Sequence, residues 1–218
     1  MIRNALAALA LSLALAAPAV AAPVIIAPVD ASRNDPQLAG MLRVLVAAAE
    51  ARDFSPFEKV LSPQAVANYG GDEGVEGFKR GYHIEDPNSP FWDAFAEAVK
   101  LGGVFLQDDL YTTPYTSGDL PESADPYLTL VAIGPKTLLY GAPSDSAPVV
   151  ADVTHQLLEQ ADIEAEDLAR TPEGWVRVKA DAGEGYVKQA EVRSPLDYRA
   201  VFQKTGEGWK LIAFVAGD

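Results

Sequence analysis

Up to about residue 103 the apolar positions recur at three- and four-residue intervals; beyond it they fall into short runs cut by turn residues. The first regime predicts helices. Leu38, Met41, Leu42, Leu45 and Ala49 form one stripe, the spacing of a helix that buries a single face, and the stripe ends near Arg52. Four dipeptides place a side-chain acceptor ahead of a proline: Asp35-Pro36, Ser55-Pro56, Ser62-Pro63 and Ser89-Pro90. Proline is tolerated at the first helical position, where its missing N–H would have no intrahelical partner, so each pair reads as a helix start. Ser55 with Glu58 three residues later has capping-box spacing and predicts a short helix through Leu61. The last start leads into Phe91, Trp92, Phe95 and Val99 and stops at Gly102-Gly103. After a Pro- and Ala-rich lead-in at 23–29, expected to be flexible, residues 22–111 are therefore expected to form a helical N-terminal domain.

The second regime predicts strands at 103–106, 127–133, 137–140, 149–153, 175–178 and 185–187. Residues 112–127, rich in Thr, Pro, Ser, Gly and Asp, read as a linker, and the acidic stretch 159–170 as a loop. At the end, residues 198–204 and 209–216 flank Thr205-Gly206-Glu207-Gly208 and predict a hairpin. Tyr198, Ala200 and Phe202 alternate with Val201, and Trp209, Leu211, Ala213 and Val215 with Ile212 and Phe214, so both faces are partly apolar. A hairpin of that kind needs cover on both sides. The expected class is α+β: a helical N-terminal domain, a linker at 112–127, a small β-unit at 128–193, and a C-terminal β-hairpin at 194–218 packing between the halves.

The N-terminus changes the setting. Arg3, an apolar run at 5–17 and Ala19-Val20-Ala21 have the form of a cleavable export signal, with cleavage expected after Ala21. The run is far shorter than the roughly 20 residues a membrane span requires, and no later segment supplies one. A periplasmic or secreted location is expected. The chain has no cysteine, which removes disulfides, thiol catalysis and lipid anchoring through an N-terminal cysteine.

The formal charge of −14 argues against a nucleic-acid partner. Residues 29–127 carry 17 acids against 7 bases, so the acidity lies mainly in the N-terminal half, where it reads as a solvated surface.

Three groups of residues resemble a bacterial SH3-like (SH3b) domain: Leu138-Leu139-Tyr140-Gly141-Ala142-Pro143-Ser144, Gly174-Trp175-Val176-Arg177-Val178 and Gly185-Tyr186-Val187. The likeness covers 128–193 and implies a small β-barrel used to bind a cell-wall peptide or another protein. Family members commonly carry an arginine and an asparagine just before the Gly-x-Pro-Ser turn, where this chain has Leu138, Leu139 and Tyr140. The flanks, Tyr69-Gly70-Gly71-Asp72-Glu73-Gly74 with Gly77-Phe78, and Ser194-Pro195-Leu196-Asp197-Tyr198-Arg199 through Phe214-Val215-Ala216-Gly217-Asp218, are similar to exported bacterial envelope proteins that carry this domain; the likeness brings no activity.

Candidate chemistry is sparse. Tyr69 to Glu73 also resembles the diguanylate cyclase signature, but Gly74 stands where that family has phenylalanine and no α/β pattern surrounds it. His83 and His155 lack any partner at metal-ligand spacing, and no Gly-x-Ser-x-Gly elbow is present. No catalytic residue, metal ligand or cofactor is assigned. With 31 acidic residues, a pair suited to glycoside hydrolysis can always be found, which makes such a pair uninformative.

Flat aromatics with polar rims can stack on sugar or peptide, and Tyr140, Trp175 and Tyr186 belong to the SH3-like motifs, so these three are the candidate ligand contacts. Trp92 and Trp209 are expected in the core. The expected function is non-enzymatic recognition of a cell-envelope peptide, glycan or protein. The alternatives are a cofactor-free carboxylate hydrolase acting on the wall, or a structural partner in an envelope complex.

Overall fold

The computed structural model describes residues 22–67, 73–161 and 171–217. The expected signal peptide, most of the Tyr69–Glu73 motif and residues 162–170 of the expected acidic loop lie outside them.

The class is α+β. Helices α1 (Pro36–Ala51), α2 (Ser55–Val60), α3 (Gly74–Gly81) and α4 (Phe91–Lys100) pack on a five-stranded sheet. Its order is β1 (Leu61–Val66), β12 (Gly208–Val215), β11 (Arg199–Thr205), β3 (Leu110–Thr113), β2 (Val104–Gln107), with β1 parallel to β12 and the other neighbours antiparallel.

The amphipathic stripe of α1 buries Leu38, Leu42, Leu45 and Ala49. Phe57, Phe78, Phe91, Trp92 and Phe95 close over Phe202, Leu211 and Phe214 from the sheet. The Phe91 and Phe95 rings each stand 5.4 Å from Phe214, so much of this core is aromatic edge-to-face packing. Trp209 is buried in the same cluster.

The C-terminal hairpin thus lies at the centre of the first sheet, with β1 on one side and β3 on the other, rather than between two halves. Its two apolar faces indicate cover on both sides, but only one is covered: Ala200, Phe202, Trp209, Leu211 and Phe214 are buried in the core with the helices, whereas Val201, Ile212 and Ala213 stay half-buried, and β1 and β3 flank the hairpin edge to edge. The N-terminal unit is accordingly not purely helical.

The Ser62-Pro63 pair, expected to start a helix, lies in β1. Pairing along β12 outweighs the local signal, and proline's missing N–H is tolerated because β1 is an edge strand. The Ser55–Glu58 capping box does not form: Ser55 is already helical, and its N–H donates to Asp53 Oδ1 at 2.9 Å.

The segment 112–127, expected as a linker, begins inside β3. Thr112, Thr113, Tyr115 and Thr116 are buried, and the Thr113 hydroxyl lies 2.8 Å from the carbonyl oxygens of both Ala98 and Gly102. Consecutive threonines at the start of a turn-rich stretch hid a strand whose threonine hydroxyls are satisfied internally.

The second sheet is antiparallel throughout, in the order β10 (Val192–Arg193), β4 (Thr129–Ala132), β7 (Leu157–Gln160), β8 (Trp175–Ala180), β9 (Gly183–Lys188), β5 (Leu138–Tyr140), β6 (Val149–Asp152). Its core gathers Leu130, Leu139, Val153, Leu158, Val178, Val187 and Val192. β10 and β6 stand at its two edges, and among the described residues they do not pair with each other. Residues 159–160, expected in a loop, complete β7. This sheet enters the chain between β3 and β11, as an insertion into the first unit.

The lead-in at 23–29, expected to be flexible, is bonded to the second unit, and Ala31 just after it to the first. The Ile26 N–H donates to the His155 carbonyl at 2.8 Å and the Leu157 N–H to the Val24 carbonyl at 2.9 Å, while the Ala31 N–H reaches the Gly103 carbonyl at 2.9 Å. Among the described residues, no helix is long and apolar enough to cross a membrane.

Candidate functional site

Period-two alternation decides which side chains of the second sheet face outward. On β5, β8 and β9, Leu139, Val178 and Val187 point to the core and are fully buried. The residues between them occupy the other face. In the observed register Tyr140 is opposite Tyr186, Tyr186 opposite Arg177, and Trp175 opposite Lys188. The three aromatics proposed from sequence therefore share one face, each half-buried. The rings of Tyr140 and Trp175 lie 5.4 Å apart at an interplanar angle of 89°, an edge-to-face corner.

Gly185 makes this arrangement possible. A Cβ there would come within 2.6 Å of the Tyr140 carbonyl oxygen and 2.8 Å of Leu139 Cγ. Only a residue without a side chain lets β5 close on β9 and bring Tyr140 opposite Tyr186.

Charged residues rim the aromatics in neutralised pairs. Arg177 Nη2 donates to Glu184 Oε2 at 2.7 Å, and Lys188 Nζ lies 2.7 Å from Asp145 Oδ1. The hydrogen bond that Lys188 donates to Asp145 raises the lysine pKa above its ordinary value. Val149 pairs with Tyr140 from the edge strand β6, and Val149 and Val150 are 52% and 46% exposed, so the apolar face runs to the sheet edge. Trp175 also lines a cleft of about 480 Å3 together with Leu130, Val176, Val192 and Asp197. Arg177, Lys188 and Val149 were not picked out from sequence. The signal was present in Trp175-x-Arg177 and Tyr186-x-Lys188, where alternation alone puts the cations beside the rings.

The other candidates are placed differently. His83 and His155 occupy left-handed backbone positions, with φ of 50° and 59°, in separate units. Among the described residues no group of three His, Asp or Glu side chains is placed to hold a metal ion. The carboxyls of Asp35, Asp53 and Asp152 titrate below the usual range, opposite to what a general acid requires. For Asp53 and Asp152 the leading cause is a hydroxyl two residues on, Ser55 or Thr154. For Asp35 it is Lys204.

Comparison of the chain with protein-family models, with curated proteins and with solved structures finds no match in any of the three.

Proposed function

We propose that the second sheet is an SH3-like recognition module of an exported envelope protein, and that Tyr140, Trp175 and Tyr186 contact its ligand, a cell-envelope peptide, glycan or protein. On this reading the protein binds without catalysing a reaction. The observation that carries it is the single outward face shared by the three aromatics, with the Tyr140–Trp175 corner at 5.4 Å. Rings exposed on one side and flanked by neutralised ion pairs suit a ligand of low net charge that offers flat apolar faces and hydrogen-bonding edges, such as a sugar ring or an extended peptide. The continuation to Val149 and Val150 gives such a ligand length to lie along.

Co-sedimentation of the purified protein with peptidoglycan sacculi, with the supernatant assayed for released fragments, tests this. Binding that Trp175→Ala weakens about tenfold or more, without release, supports recognition through this face. Release of fragments makes the protein a wall hydrolase instead. Absence of binding directs the search to envelope proteins.

A further inference from the structure

Arg193 ends β10, just before the chain returns to the first sheet, and its guanidinium is incompletely satisfied. Nη2 donates to the Tyr198 carbonyl at 2.8 Å, whereas Nε is shielded from solvent and has no partner. No carboxylate among the described residues forms an ion pair with it. A shielded guanidinium normally carries a counter-charge, because desolvating it without one is costly. Its desolvation pulls the Arg193 pKa down, and the negative fields of Asp197 and Glu97 only partly offset that.

The same side chain lines a cleft of about 520 Å3 where α4 faces the second sheet. That volume is in the range of small-ligand sites, which favour junctions between structural units. Three other charged groups line it. Lys100 is held by Glu50 at 2.6 Å, and Asp197 Oδ2 accepts the Ser194 N–H at 3.2 Å. Glu97 is exposed, and its carboxylate has neither an ion pair nor a hydrogen bond among the described residues. The cleft thus combines a guanidinium and a carboxylate that form no ion pair among the described residues, and Leu101, Ile133 and Val192 supply apolar wall.

We propose that this cleft binds a short peptide with both ends free, its carboxylate on Arg193, its ammonium on Glu97 and its side chains against Leu101, Ile133 and Val192. A zwitterion supplies both missing counter-charges at once; a simple anion would leave Glu97 facing it, and a simple cation would leave Arg193 unpaired. The site stands apart from the aromatic face and does not depend on it.

Isothermal titration of the purified protein with L-alanyl-L-alanine, its N-acetyl derivative and its C-terminal amide tests the assignment. The free dipeptide is expected to bind with a millimolar or lower Kd, and each blocked analogue at least tenfold more weakly. Glu97→Gln, an exposed substitution that leaves the core untouched, should bring the free dipeptide level with the acetylated one; Arg193→Met should bring it level with the amide. If Arg193→Met fails to fold, Glu97→Gln still decides. No binding of the free dipeptide, equal binding of the blocked forms, or an unchanged Kd in Glu97→Gln overturns the proposal.

Discussion

Asp35 and Lys204 are 169 residues apart in sequence and meet at 2.8 Å. The same carboxylate caps α1 through the N–H groups of Gln37 and Leu38 and accepts the Trp209 indole N–H at 3.1 Å. One side chain thereby ties the first helix to the last hairpin.

That junction makes stability depend on pH. Lys204, together with the helix-cap and indole hydrogen bonds, holds the Asp35 pKa at about 2 against an ordinary 3.8. A carboxyl depressed in the folded state contributes stability above its unfolded pKa and loses it as pH falls through the folded one. The contribution should be complete above about pH 4 and disappear between 3.8 and about 2; with the site close to solvent, its size is about 1 kcal/mol. Urea denaturation from pH 2 to 6, followed by tryptophan fluorescence, should show this slope, and Asp35→Asn should flatten it. An unchanged slope in Asp35→Asn would mean that other carboxyls dominate.

Gly185→Ala introduces a Cβ where the Tyr140 carbonyl and Leu139 leave no room. We expect a loss of about 1–3 kcal/mol in the unfolding of the second sheet, because backbone as well as side chain must move. Hydrogen exchange should show the amides of β5 opening before those of β8. A neutral substitution would show that β5 shifts freely against β9.

Ile26→Pro removes the N–H that donates to the His155 carbonyl. The adjoining bond, from the Leu157 N–H to the Val24 carbonyl, should loosen with it. Exchange of the Leu157 amide should rise by an order of magnitude or more while the first core keeps its protection. Unchanged exchange there would show that the lead-in is held by its side chains instead.

Deleting residues 194–218 removes the two central strands of the first sheet. The first unit should fail to fold, detected as loss of helical circular dichroism and rapid proteolysis within residues 36–113. An unchanged melting curve would refute the central placement of the hairpin.

The local parts of this structure were readable in the sequence, and the long-range ones were not. The stripe of α1 and the Phe91–Val99 pattern of α4 gave those helices directly, because period and caps are properties of neighbouring residues. β1 escaped because Ser62-Pro63 carries a helix-start signal, and the strand that overrides it lies about 150 residues later. The hairpin's two apolar faces announced burial without naming the partner. In the candidate site, Trp175 and Tyr186 could be grouped by motif, whereas the opposition of Tyr140 to Tyr186 depends on register that Gly185 permits. Arg193 gave no signal at all: the cleft it lines is shared with residues of α4, and nothing within the sequence around β10 encodes that.

The second sheet's place between β3 and β11 has a consequence for the order in which the molecule is made. As the chain emerges, α1 to α4 and the strands β1 to β3 precede the pair that completes their sheet, while the inserted unit has all its own strands in hand once β10 is out. The inserted unit can close as soon as residue 193 has appeared; the earlier one must wait with Phe57, Phe78, Phe91 and Phe95 uncovered until residues 199–215 arrive. The part begun first is therefore the part finished last, and the interval between the two is when the chain is most exposed to aggregation and to proteases.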